Sequence, residues 1–226
     1  MSAVLRARDE LASQSGERAA FVSFVVGAAA RVIARNPAAN TSVVGTLRPR
    51  LVQYDRVCAK VMFDKRIDGT RAVVAGMVED ADKLDVTAIQ RRISYYKDNP
   101  VEALPELAPL RKLHRLPVLL GRAAYALALR SASRHHNLLG SFTVSSLGHR
   151  PIQDFFPISA NTLCFGIGAM EDTPVVREGT ITVRPMLPLS LTFDHTAIDG
   201  GLASDVLAQL KEALETFHLS EASHAG

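Results

Sequence analysis

The residues best suited to chemistry lie at 187–201, LPLSLTFDHTAIDGG. Leu187, Leu189, Leu191 and Phe193 alternate with polar or small residues, a strand pattern that ends at Asp194 and His195. Asp199 follows, then Gly200 and Gly201, ahead of an amphipathic run. A neutral imidazole takes a proton from a thiol or hydroxyl near pH 7, because its ordinary pKa lies close to that pH. Neighbouring carboxylates can orient the ring or brace its loop. The same residues also have a plain structural reading. Asp199 can cap the following helix, the two glycines can form a turn, and His195 can be a hydrogen-bonded histidine at a strand end. A metal site needs at least one more ligand, and none is close in sequence, so no metal is expected.

The elements that must position these residues can be read along the chain. A short helix over residues 4–13 breaks at Ser15 and Gly16. A mostly apolar helix from about Ala19 to Arg35 stops at Asn36-Pro37, because proline disfavours the helical state of the residue before it. Val57, Ala59, Val61 and Phe63 predict a strand, Asp68-Gly69 a hairpin turn, and residues 71–78 the returning strand. Asp85 can cap a helix carrying Val86, Ile89, Ile93 and Tyr96 at helical spacing. Residues 142–146 and 163–169 read as strands, and Glu178-Gly179 as the turn of a hairpin. Val206, Leu207, Leu210, Leu214 and Phe217 give the closing helix. Strands with hairpins, interleaved with helices, predict a mixed sheet covered by helices.

Composition narrows the classes. The chain has 226 residues, of which 47% are hydrophobic, without visible repeats or a linker-like tract. That predicts one domain over 1–226 with a sizeable core. A net charge of +3 is too small to point to nucleic acid. Cys58 and Cys164 cannot build a disulfide scaffold, and a reduced, cytoplasmic setting fits them. The uncharged run at 19–30 is too short for a transmembrane span. Asp9, Glu10 and Glu17 ahead of it argue against a signal peptide. It reads as a buried helix.

With these elements in place, TFDHTAIDGG resembles the histidine–three residues–aspartate–glycine signature of the dihydrolipoamide acyltransferase catalytic domain, the core of 2-oxo acid dehydrogenase complexes. Chloramphenicol acetyltransferase shares that fold and a similar signature. Residues 140–148, GSFTVSSLG, are similar to the family's strand with a serine before a Leu-Gly pair. The remaining strands and helices follow the family order, so the similarity covers about residues 4–217. Thr196 stands where complex members commonly carry arginine, and Gly201 where alanine is common. Asp194 before the histidine favours that branch over chloramphenicol acetyltransferase.

The resemblance implies an α/β two-layer sandwich with a large mixed β-sheet, chloramphenicol acetyltransferase-like. It implies a homo-trimer or higher multiple with each active site between two subunits. The implied activity is CoA-dependent acyl transfer from an acyl-CoA thioester to a thiol or hydroxyl acceptor. His195 would be the general base, and Asp199 would support the histidine loop, with Asp194 and Gly200 shaping it. Ser145, or Ser146 one register on, would donate to the oxyanion from the neighbouring subunit. The family's lipoyl and partner-binding domains, and its N-terminal helix and strand, find no match, so a lipoyl group would arrive on another protein. The chain then reads as a stand-alone acyltransferase. The alternative is a catalytically inactive scaffold that keeps the trimeric fold.

The segment 99–139 is longer and more basic than the family's usual connector, and it overlaps the unusual residues 107–153. They contain Arg111, Lys112, Arg115, Arg122, Arg130, Arg134 and Arg150 without a single Asp or Glu. The plain expectation is helices with a solvated charged face. The sharper ones are a basic surface for an acidic protein partner, for an anionic membrane, or for the phosphates of CoA.

Overall fold

The computed structural model describes residues 1–45, 48–67, 69–114 and 116–219. Seven α-helices and nine strands follow one another among them. Helices α1 (Ser2–Ser15) and α2 (Phe21–Arg35) lead into a short antiparallel ribbon of β1 (Thr41–Val44) and β2 (Arg50–Gln53). The hairpin of β3 (Ala59–Ile67) and β4 (Thr70–Val78) precedes α3 (Val86–Asp98). Three further helices, α4 (Ala108–His114), α5 (Val118–Ala128) and α6 (Ala132–Leu139), lead to β5 (Phe142–Ser146) and β6 (Leu163–Ile167). A second hairpin, β7 (Glu171–Arg177) with β8 (Thr180–Met186), precedes β9 (Leu189–Phe193) and α7 (Gly200–Glu215).

The central sheet has five strands in the order β4-β3-β5-β6-β9. β3, β5 and β6 run parallel, and β4 and β9 pair antiparallel at the edges. The expected mixed sheet is therefore present. One face of it meets the helices. Phe142, Val144, Leu163, Phe165 and Ile167 alternate with polar or small residues and bury their side chains beneath α2, α3 and α7. α2 is apolar around most of its circumference because it is buried on most sides. Phe24 in α2 meets Phe217 edge-on, with ring centroids 5.2 Å apart. Asn36 ends the helix, as its sequence position predicts. Its backbone N–H donates to Val32 and Ile33, and its side-chain amide bonds Val32 and Gln209 of α7. Asp85 caps α3, accepting from the Ala88 N–H at 2.6 Å.

The helix and strand expectations agree with this arrangement, with shifted ends. β3 begins at Ala59 rather than Val57, and β9 at Leu189 rather than Leu187. Glu178 and Gly179 both take positive φ (49° and 77°), the geometry a tight hairpin turn requires. Of the other turn signal, Asp68 lies outside the described residues and Gly69 has φ 78°.

Within 107–153 the expected solvated charged face is present, with Arg122, Arg130 and Arg134 exposed, but it is not the whole of the arrangement. α5 turns aliphatic side chains outward, and His135 and His136 of α6 are buried. The Tyr54 ring stacks on His136 at 4.2 Å, and its hydroxyl bonds His135 Nδ1 at 3.0 Å. His136 Nε2 lies 3.2 Å from the Ser141 hydroxyl, which accepts the Cys58 N–H. Burial lowers the pKa of both histidines from the ordinary 6.5, and Arg56 adds to the lowering at His136. Both are therefore neutral in the fold. In the range below 6.5 and above the lowered native values, the unfolded chain binds more protons than the native one, so stability is full above 6.5 and falls as pH drops below it. The urea midpoint should fall between pH 7.5 and 5.5, with a smaller fall in a His135→Gln/His136→Gln protein. An equal fall in both proteins would remove these histidines as the cause.

Candidate active site

His195 sits in the turn that follows β9, exposed at the tip of the sheet's edge strand. Its ring leans on Phe193 with centroids 5.4 Å apart. The loop beneath it is built from Asp194. One carboxylate oxygen of Asp194 accepts from the Thr196 N–H (2.9 Å) and the Thr196 hydroxyl (2.6 Å), and its carbonyl accepts from Ala197 and Ile198. Thr196 thus supplies Asp194 with a neutral partner on its own turn. The Asp194 backbone N–H donates to the Thr162 carbonyl, tying the turn to the approach to β6. Ile198 anchors the loop in the core.

Asp199 caps α7, accepting the Leu202 N–H at 2.8 Å, and its carbonyl accepts from Ala203. Its carboxylate therefore acts on the helix start. Gly200 opens that helix. The structure thus shows the capping arrangement for Asp199, on the helix that follows the His195 turn.

Ser145 and Ser146 end β5, two strands away from β9. In register, Ser145 lies opposite Gly166, and Gly166 opposite Ser190. His195 is five residues beyond Ser190, at the other end of β9. At ~3.3 Å per residue along a strand and ~4.8 Å between strands, this puts His195 and Ser145 of one chain on the order of 20 Å apart, far beyond hydrogen-bond reach. The fold brings His195, Asp194, Asp199 and Gly200 together and sets both serines at the opposite end of the sheet. The Ser146 hydroxyl accepts the Gly148 N–H at 3.3 Å. Among the described hydrogen bonds none engages the Ser145 hydroxyl.

The serine end has a feature the sequence did not signal. Residues 155–157 run across the polar face of the sheet. Ser190 Oγ donates to the Phe155 carbonyl at 2.6 Å, and Thr192 Oγ1 donates to the Pro157 carbonyl. They fit because residue 166 is glycine. A Cβ there would meet Ser190 Oγ, and would stand 2.7 Å from Pro157 Cδ and 2.9 Å from the Phe155 carbonyl. Gly166→Ala should therefore destabilise the fold by about 1–3 kcal/mol, measurable by urea unfolding. An unchanged midpoint would show that the segment moves aside at no cost.

Neither cysteine joins this chemistry. Burial raises the pKa of both thiols, away from the thiolate a nucleophile needs. Among the described residues no three His, Cys, Asp or Glu side chains are grouped to hold a metal ion. Nor is any described helix long and apolar enough to cross a membrane.

Comparison with known proteins gives these positions a context. Residues 127–221 match the family model of the 2-oxoacid dehydrogenases acyltransferase catalytic domain. Over 209 residues the chain is 26% identical to the dihydrolipoyllysine-residue acetyltransferase component of the pyruvate dehydrogenase complex of Bacillus subtilis, covering 91% of this chain and 40% of that protein. The chain thus spans about two fifths of the curated relatives that it matches along most of its length. Among solved structures, the Azotobacter vinelandii dihydrolipoamide acetyltransferase superposes with a TM-score of 0.65 at 22% identity, covering 94% of this chain and 76% of that one. That structure was determined to examine the catalytic roles of a serine, a histidine and an asparagine. A chloramphenicol acetyltransferase superposes at 0.50 with 15% identity, covering 92% and 83%. Residues 127–221 are thus similar in sequence to the 2-oxoacid dehydrogenases acyltransferase catalytic domain, and nearly the whole chain shares the fold of a dihydrolipoamide acetyltransferase.

Proposed function

We propose that the chain is an acyltransferase that moves an acyl group between a CoA thioester and a thiol or hydroxyl acceptor. The observation that carries this reading is His195, an exposed imidazole on a turn fixed by two carboxylates, in a chain whose relatives are dihydrolipoyllysine acyltransferases. His195 removes the acceptor's proton as the acceptor sulfur or oxygen attacks the thioester carbonyl. A tetrahedral oxyanion forms. It collapses with loss of the CoA thiolate, to which the imidazolium returns the proton.

The oxyanion needs a donor, and Ser145 is the best candidate. Its hydroxyl is uncommitted among the described hydrogen bonds, whereas that of Ser146 is held by Gly148. The distance between Ser145 and His195 within one chain makes the donor a residue of a second copy. The active unit is therefore a homo-trimer or higher multiple with sites between subunits. A lipoyl dithiol is one such acceptor, in a cytoplasmic setting. The Azotobacter enzyme supports the assignment, since its serine, histidine and asparagine were studied as parts of its mechanism, the last two at the spacing of His195 and Asp199.

The test is CoA release from acetyl-, succinyl- and longer acyl-CoA with dihydrolipoamide and other acceptors. Release that needs both an acceptor and His195 supports the enzyme. A folded oligomer without release across the panel supports an inactive scaffold.

A further inference from the structure

From a separate surface, we infer that α5 with the adjoining β2 ribbon is a docking face for an anionic lipid bilayer. α5 has no buried residue along its length. Leu119 is 80% exposed, Val118 74%, Leu127 61% and Leu120 60%. On the helix, Leu119, Ala123, Ala126 and Leu127 share the outward side with Arg122 and Arg130, while Ala124, Tyr125 and Ala128 turn toward α3 and α6. Across an open cavity of about 900 Å³, β2 and the turn before it present Arg48 and Arg50. Leu51 of β2 is exposed as well.

The charge selects the occupant. No Asp or Glu occurs over residues 107–153, and none lines the cavity. Among the described residues no carboxylate pairs with Arg48, Arg50, Arg122 or Arg130. A two-fold pairing of copies through this face would bring arginine against arginine, and a head-to-tail contact is distinguished by light scattering of the oligomer. A nucleic acid would match the charge but not the aliphatic crest, because the one aromatic ring of α5, the part-exposed Tyr125, lies off that crest on the side of α3 and α6. A bilayer with acidic headgroups matches both. Leu119, Leu120 and Leu127 enter the acyl boundary, and the arginines stay at the phosphates with their stems along the apolar surface. The chain lies on such a surface and does not span it.

The chain contains no tryptophan, so Leu119→Trp gives a single reporter at an exposed position. The probes are phosphatidylcholine vesicles with and without phosphatidylglycerol, at low salt. The expected result is co-sedimentation with the anionic vesicles, a blue shift of the Leu119→Trp emission on adding them, and little of either with phosphatidylcholine alone. Arg122→Gln/Arg130→Gln should weaken binding about tenfold or more, and added salt should do the same. Leu119→Gln/Leu127→Gln should weaken it while leaving the oligomer intact by light scattering. Equal binding to both vesicles, no binding to either, or dissociation of the oligomer in Leu119→Gln/Leu127→Gln would overturn the inference. The last would identify the face as a subunit contact.

Discussion

His195→Ala should lower acyl transfer from acyl-CoA by about 10²–10⁴-fold, the usual contribution of a positioned general base. The effect should fall mainly on turnover, because the imidazole acts when the acceptor's proton is transferred and contributes little to holding CoA. The ring is exposed and rests only on Phe193, so its loss leaves no buried cavity and the urea midpoint should hardly move. Activity lost with stability kept separates a chemical role from a structural one. The Asp199 variants sharpen this distinction. Asp199→Asn keeps an oxygen to accept the Leu202 N–H and should retain most activity. Asp199→Ala removes the cap, should cost about 1 kcal/mol of stability, and loosens the turn that aims His195. If Asp199→Asn proved as inactive as His195→Ala, the carboxylate would have a direct part in proton transfer, and the bracing role would be wrong.

How much of this was legible before the structure depended on the range of the forces involved. Local rules placed α2, α3, the β3–β4 and β7–β8 hairpins, β5 and α7, because each is written in periodicity and punctuation within a few residues. The His195 loop was legible for the same reason: the side chains of Asp194, Thr196 and Asp199 bond groups no more than three residues away. The β1–β2 ribbon was not. Its strands are four residues each, and they are held from outside: Asn40 donates to the carbonyls of Tyr54 and Arg56, and Thr162 donates to Thr41. No pattern within TSVV or RLVQ announces such contacts. The exposure of the α5 leucines could not be fixed in advance, because sequence alone does not say which apolar helix lacks a covering layer. The burial of His135 and His136 depends on Tyr54, some 80 residues earlier, so their spacing carried no hint of it.

The distance between His195 and Ser145 leads to the second large effect. Ser145→Ala should cost about 10²–10³-fold in turnover, the loss typical of one oxyanion donor. Each single variant is then nearly inactive, and each lacks a different half of the site. Unfolding and refolding the two together, in equal amounts, mixes the subunits. A site that takes His195 from one copy and Ser145 from the next is complete when the first carries the Ser145 change and the second the His195 change. Random assortment makes this so at about one site in four of a cyclic oligomer. The mixture should therefore recover about a quarter of wild-type turnover, while each variant refolded alone recovers none. A site contained in one chain would give no recovery at any mixing ratio, because no subunit in the mixture holds both groups. The same experiment with Ser146→Ala in place of Ser145→Ala tests the register. If Ser145 is the donor, Ser146→Ala should be active alone, since Ser146 bonds Gly148 on its own turn and can lose that bond without emptying the oxyanion site.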